Sequence, residues 1–174
     1  KNTQQITKAM KMVAASKLRR AQERITNARP YAVQMQHVLA GLAGRVDASV
    51  HPLLTTREPG PDSRTLIISV SGDKGLCGSF NTNAIKAVAQ LAVGAESPVT
   101  LGIVGRKGRE YFGRRGFSIE FEQIGIFQKL SFANAQTIAT LAMDAFTSGR
   151  VDKVLLVYNE FRSVRSEEHT SELQ

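Results

Sequence analysis

An unbroken apolar repeat near the start of the chain constrains its fold more than anything else in it. From Ala14 the apolar positions run Leu18, Ala21, Ile25, Ala28, Ala32, Met35, Leu39 and Leu42, alternating steps of four and three. That spacing averages about 3.5 residues, the period of a coiled-coil seam. Ile6, Met10 and Val13 extend the rhythm backwards with one register slip at Val13/Ala14, so the stripe is expected to run from the first residue. At about 1.5 Å per residue such a helix reaches roughly 65 Å, longer than a small domain is wide. Pro30 removes one backbone donor, but the repeat keeps its phase on both sides, which predicts a kink and not a stop. The small residues Ala14, Ala21, Ala28 and Ala32 imply a partner helix at close approach. No second long heptad stripe occurs in the 174 residues, so the partner is another copy, another protein, or a segment of this protein that is absent.

The same stretch carries the charge. Residues 1–45 hold nine bases (Lys1, Lys8, Lys11, Lys17, Arg19, Arg20, Arg24, Arg29 and Arg45) against Glu23 alone, which equals the whole chain's net charge of +8. A basic helix ahead of an electrically balanced domain points to an acidic counterpart: nucleic acid, anionic lipid or an acidic protein surface. At 42% hydrophobic residues, with no run near the length of a membrane span, the chain describes one soluble domain with a core of its own. Cys77 is the single cysteine, so no internal disulfide is possible; it is expected to be a buried thiol that fills space, and a reducing compartment is the default.

Residues 46–64, "VDASVHPLLTTREPGPDSR", read as a linker, and beyond them the period changes. "TLIISV" is a short β-branched run, followed by the turn "SGDKGLCGSFN" and the helical "NAIKAVAQLA". Then come "VTLGIVG", the basic helix-like "RKGREYFGRRG", the alternating "FSIEFE", the helical "SFANAQTIATLAMDAFTSG" and "KVLLVYNEF". Strands alternating with helices predict an α/β domain over 65–164 with a mainly parallel sheet. His37 and His51 have no companion at ligand or catalytic spacing and are assigned neither role.

The glycine turn is where a nucleotide-binding enzyme would hold a phosphate. Its glycines, Gly72, Gly75 and Gly78, are spaced three and three, which matches neither the dinucleotide fingerprint nor a P-loop. Asp73 could serve as an acid, but no base, nucleophile or metal cluster accompanies it. The turn is therefore read as structural or partner-facing, and no catalytic residue, cofactor or metal is assigned.

"KNTQQITKAMKMVAASKLRRAQ", "ARPYA" and "SGDKGLCGSFN", in this order and spacing, closely resemble the gamma subunit of F-type ATP synthase from Lys1 to about Val164. The resemblance implies a Rossmann-like domain and a non-catalytic rotor shaft. In that family an antiparallel coiled coil of the N- and C-terminal helices stands in a hexameric ring of alpha and beta subunits. It implies further partners in the epsilon subunit and the membrane rotor ring, and a peripheral position at the cytoplasmic face of a bacterial inner membrane or its organellar equivalent. Proton or sodium flow would turn the shaft and drive the beta sites through their binding states. Carried over by position, Lys8, Met10, Lys11, Met12, Lys17, Arg19 and Arg20 would face the ring, meeting acidic loops of the beta subunits. Asp73, Lys74, Gly75, Leu76, Cys77 and Gly78 would lie near those loops. The seam would be Ile6, Met10, Ala14, Leu18, Ala21, Ile25, Ala28, Ala32, Met35, Leu39 and Leu42.

Two other classes compete with the shaft. A basic nucleic-acid-binding coiled coil would place a dense cationic cluster before its seam, whereas here cations and seam share one stretch. A nucleotide-dependent α/β enzyme would need the phosphate loop that the glycine spacing does not supply. Measured against the resemblance, the chain is expected to lack a first basic turn and the long C-terminal helix, leaving the seam unpartnered. Residues 165–174, "RSEEHTSELQ", carry one base against three acids and are expected to match nothing in the family. They resemble a translated sequencing-library adapter and are expected to be non-native.

Overall fold

The computed structural model describes residues 2–57, 60 and 62–161; the tail singled out above, 165–174, lies outside them. The chain divides into two compact units, Lys1–Thr55 and Thr56–Gln174.

The first unit is dominated by α1, Asn2–Ala43, one continuous helix with Pro30 inside it. The proline does not stop it, because the apolar repeat and the helix-forming residues on both sides outweigh one missing hydrogen bond. The whole apolar seam is exposed within the chain: Met10 retains 67% of its accessible surface and Leu39 57%. Arg19 pairs with Glu23 one turn on, at 3.0 Å, with both side chains in solvent. Two short 3-10 turns follow, Ala48–Val50 and Pro52–Leu54, in a stretch read from sequence as irregular. Asp47 and His51 cap them: Asp47 Oδ1 accepts from the Ser49 N–H and His51 Nδ1 from the Leu53 N–H. His51 is thus employed as a cap.

The second unit is an α/β layer. β1 (Thr65–Val70), β2 (Val99–Val104), β3 (Ile119–Gln123) and β4 (Lys153–Val157) form one parallel sheet in the order β3-β2-β1-β4. Helices α2 (Phe80–Val93), α3 (Arg106–Gly113) and α4 (Phe132–Thr147) supply the crossovers. Alternation along β1 and β2 sends their side chains to two cores. Ile67, Leu101 and Ile103 pack with Ile85 and Val88 of α2 and Phe112 of α3; Leu66, Ile68 and Val104 pack with Ala145 of α4 and Val151. The continuous "LIIS" run is buried because both faces of β1 are covered. The order places β4 on the far side of β1 from β2. The chain therefore reverses direction beside β1, and the turn at the carboxyl end of β1 sits at that switch point.

Candidate partner-facing turn and basic helix

Residues 71–79 leave β1 at its carboxyl end and enter α2, and three side chains hold them there. Asn81, the second residue of α2, reaches back: its Oδ1 accepts the Gly72 N–H at 2.7 Å, and its Nδ2 donates to the Lys74 carbonyl and to Cys77 Sγ, both at 3.0 Å. Ser71, fully buried, accepts the Gly108 N–H on its Oγ at 2.9 Å and donates to the Val104 carbonyl. Gly105 allows this approach: its φ is +97°, and a Cβ there would lie 2.0 Å from the Ser71 carbonyl oxygen. Lys107 then donates its N–H to the Gly72 carbonyl at 3.1 Å.

Asp73 faces inward. Its Oδ1 accepts the Arg106 N–H at the start of α3 and the Gly125 N–H after β3, each at 3.0 Å, while its Oδ2 is buried without a hydrogen-bond partner. One carboxylate therefore ties together the ends of three strands. It also occupies the helix start where an anionic ligand would otherwise be attracted. Asn81 likewise engages the Gly72 N–H and Ser71 the Gly108 N–H. The Asp73 carboxylate at the start of α3 is a physical reason, beyond glycine spacing, why an anion is disfavoured at that helix start.

The turn thus splits the sequence-derived set. Asp73 is a clasp, whereas Lys74, Gly75, Leu76, Cys77 and Gly78 are all exposed. Leu76 stands fully in solvent in the left-handed region, at φ +58°, and Gly78 at φ +57° turns the chain back. Cys77 does not fill the core as expected; it is an exposed free thiol. The expectation followed the usual burial of free cysteines, but the two left-handed residues around Cys77 lift this stretch off the sheet. Nothing in the sequence marks Asn81 as its anchor beyond an amide at the start of a helix that follows a glycine turn.

The ring-facing set on α1 lies on the exposed helix: Lys8, Met10, Lys11, Met12, Lys17, Arg19 and Arg20 are all in solvent. Seam and cations both belong to the first unit, and the turn to the second. Among the described residues no cluster of three His, Cys, Asp or Glu could hold a metal, and no helix is long and apolar enough to cross a membrane.

An ATP synthase family model matches residues 1–173. The chain is 50% identical over 170 residues to the ATP synthase gamma chain of Chlorobaculum tepidum, covering 94% of this chain and 58% of that one. With the gamma chain of Chloroherpeton thalassium it shares 44% over 179 residues, 99% of this chain and 58% of that relative. Among solved structures, the central stalk and c-ring of Tetrahymena thermophila mitochondrial ATP synthase, determined by cryo-EM, contains a chain with 32% identity and a TM-score of 0.68. That match covers 91% of this chain and 66% of the other. The chain therefore spans less than two thirds of the length of these relatives.

Proposed function

The chain belongs to the ATP synthase family, and from that membership we propose that it serves as the gamma, or central-stalk, subunit, a rotor element without bond chemistry of its own. Its partners in this reading are the alpha–beta ring, the epsilon subunit and the membrane rotor ring. Its place is peripheral, at the cytoplasmic face of a bacterial inner membrane or the organellar equivalent. Proton or sodium flow turns it, and the turning shaft drives the catalytic beta subunits through their states.

The observation that carries this reading is α1: 42 residues of uninterrupted helix with an exposed heptad seam and cations along the same length. A seam of that length stiffens a shaft once a second helix covers it. Exposed Lys and Arg side chains suit a surface that must slide past successive partners, since each pair contributes only about 0–1 kcal/mol and exchanges readily. The clasped turn supports the reading from the other unit, because Asn81, Ser71 and Asp73 hold it in a fixed shape.

The test is a chimera in which residues 1–161 replace the corresponding part of the Chlorobaculum tepidum gamma chain, assembled with that organism's remaining subunits. Ion-driven ATP synthesis near the parental rate is the expected outcome. Replacing Lys8, Lys11, Lys17, Arg19 and Arg20 together with Glu should uncouple or disassemble the complex. A chimera that assembles but neither synthesises nor hydrolyses ATP in a coupled manner would sink the proposal.

A further inference from the structure

We propose that His51 is a pH-sensitive catch on the segment that joins the two units: its neutral ring holds the turn after it closed, and its protonated ring releases that turn. This goes beyond the shaft reading and does not rest on it.

Residues 47–54 form two 3-10 turns in tandem, each capped by a side chain that accepts the N–H two residues on. Asp47 Oδ1 takes the Ser49 N–H at 3.0 Å, and His51 Nδ1 takes the Leu53 N–H at 3.2 Å. The two caps share a geometry and differ in chemistry. A ring nitrogen accepts only through its lone pair, so His51 caps only while Nδ1 carries no proton. A proton there turns the acceptor into a donor that faces the Leu53 N–H. Asp47 keeps its cap where histidines titrate, because the Ser49 N–H holds its carboxyl below the usual carboxylate range. Mild acid therefore opens the second turn and leaves the first.

Little else keeps the second turn closed. Pro52 brings no N–H of its own, and the remaining bonds run from the Leu54 N–H to the His51 carbonyl at 2.9 Å and from the Thr55 N–H to the Pro52 carbonyl at 3.3 Å. None of its three residues is buried, so packing hardly opposes opening. His51 is itself exposed, and a proton reaches it directly. Ala48–Val50, the turn packed against it, carries no charged side chain. The charged groups around it are Arg45 after α1, Asp47, which is engaged with Ser49, and Arg57, which is engaged with Asp152 and two carbonyls.

Arg57 also gives the opening a consequence, since it pins the chain to the second unit just after this segment. Three residues passing from a 3-10 turn to extended backbone let out about 4 Å of chain between α1 and that pin. The connection is thus shorter with a neutral His51 and longer with a charged one.

The experiment follows the isotope-labelled full chain by NMR from about pH 8 to about pH 5. The Leu53 amide resonance should move with the same midpoint as the His51 ring. Its hydrogen exchange, corrected for the intrinsic rate at each pH, should rise roughly fivefold on protonation, while Ser49 stays protected. His51→Asn carries a side-chain oxygen that accepts at every pH, and it should hold the Leu53 resonance still over the whole range. Three outcomes overturn the proposal: a Leu53 resonance that does not follow the His51 ring, a Leu53 titration that survives in His51→Asn, or Ser49 and Leu53 opening together. The first is read from the parent chain alone, and none of them bears on the outcome of the chimera.

Discussion

The ring of Phe121 lies across Gly102 on the neighbouring strand, so close that a Cβ on the glycine would come within 2.4 Å of the ring's Cζ. The pairing register shifts at this place, between Leu101 and Gly102, which brings Phe121 opposite the glycine. Phe121 packs against the buried cluster of Leu66, Ile68, Val104, Ala145 and Val151, so it has little freedom to withdraw. Gly102→Ala should therefore destabilise the second unit by about 1–3 kcal/mol through overpacking. Combined with Phe121→Leu, the cost of the alanine should shrink. Urea unfolding of the two single variants and the double variant checks this, and additive effects would refute the steric account.

Asn81 joins three points of the glycine turn, and Asn81→Ala leaves the Gly72 N–H and the Lys74 carbonyl without it. The expected loss is about 1–3 kcal/mol, since the site is partly buried and water replaces it incompletely. Hydrogen exchange at Gly72 should accelerate in the variant while the strand amides of Ile67 and Ile103 remain protected. Uniform acceleration of all three would mean that Asn81 supports the whole unit and not the turn in particular.

Asp73→Ala should cost a similar amount, about 1–3 kcal/mol, because two N–H groups from segments 33 and 52 residues away lose their shared acceptor. It should also open the start of α3 to an external anion. Phosphate at millimolar concentration should raise the melting temperature of Asp73→Ala more than that of the parent. Equal response in both proteins would contradict the idea that the carboxylate occupies an anion's place.

Arg57 reaches from the linker to the end of α4, donating to the Phe146 and Val151 carbonyls at 2.8 Å, pairing with Asp152 at 3.2 Å and lying over the Phe146 ring. Arg57→Lys should recover little of the stability lost in Arg57→Ala, because an ammonium cannot serve three acceptors in a fixed fork. The Arg64 backbone N–H, opposed by partial burial and aided by Arg57, holds the Asp152 carboxyl below the usual carboxylate range. A folded value below the unfolded one means that the unfolded chain binds the proton more readily. The contribution is therefore complete above the ordinary carboxylate range and is lost as pH falls through the lowered value. Melting temperatures measured across acid pH should fall less steeply for Asp152→Asn than for the parent.

The seam of α1 should make the chain associate with itself. Its apolar residues are exposed along about 60 Å of helix, and sedimentation should show mass rising with concentration. Leu18→Gln with Ile25→Gln should reduce that rise, and a parent that stays monomeric at every concentration would argue against the seam.

Period and composition made α1, the strands and the alternation with helices readable, because each depends on residues near one another in sequence. "TLIISV" announces a strand covered on both faces, and the repeat through Pro30 announces one helix. The strand order was not readable: nothing local in "KVLLV" says that it passes beyond β1 to pair on the other side. The clasp was hidden for the same reason, since Asp73 meets Arg106 and Gly125 only after the sheet has formed. Cys77 was misplaced because general burial preference was applied to a stretch whose conformation is set by Leu76 and Gly78.

Pro30 leaves the Thr26 carbonyl without the N–H that would have closed that turn of α1. One rung is thus missing from the ladder of α1, so the turn from Thr26 to Pro30 resists twisting and bending less than the same turn would with its bond in place, and a single residue decides where along the helix that happens.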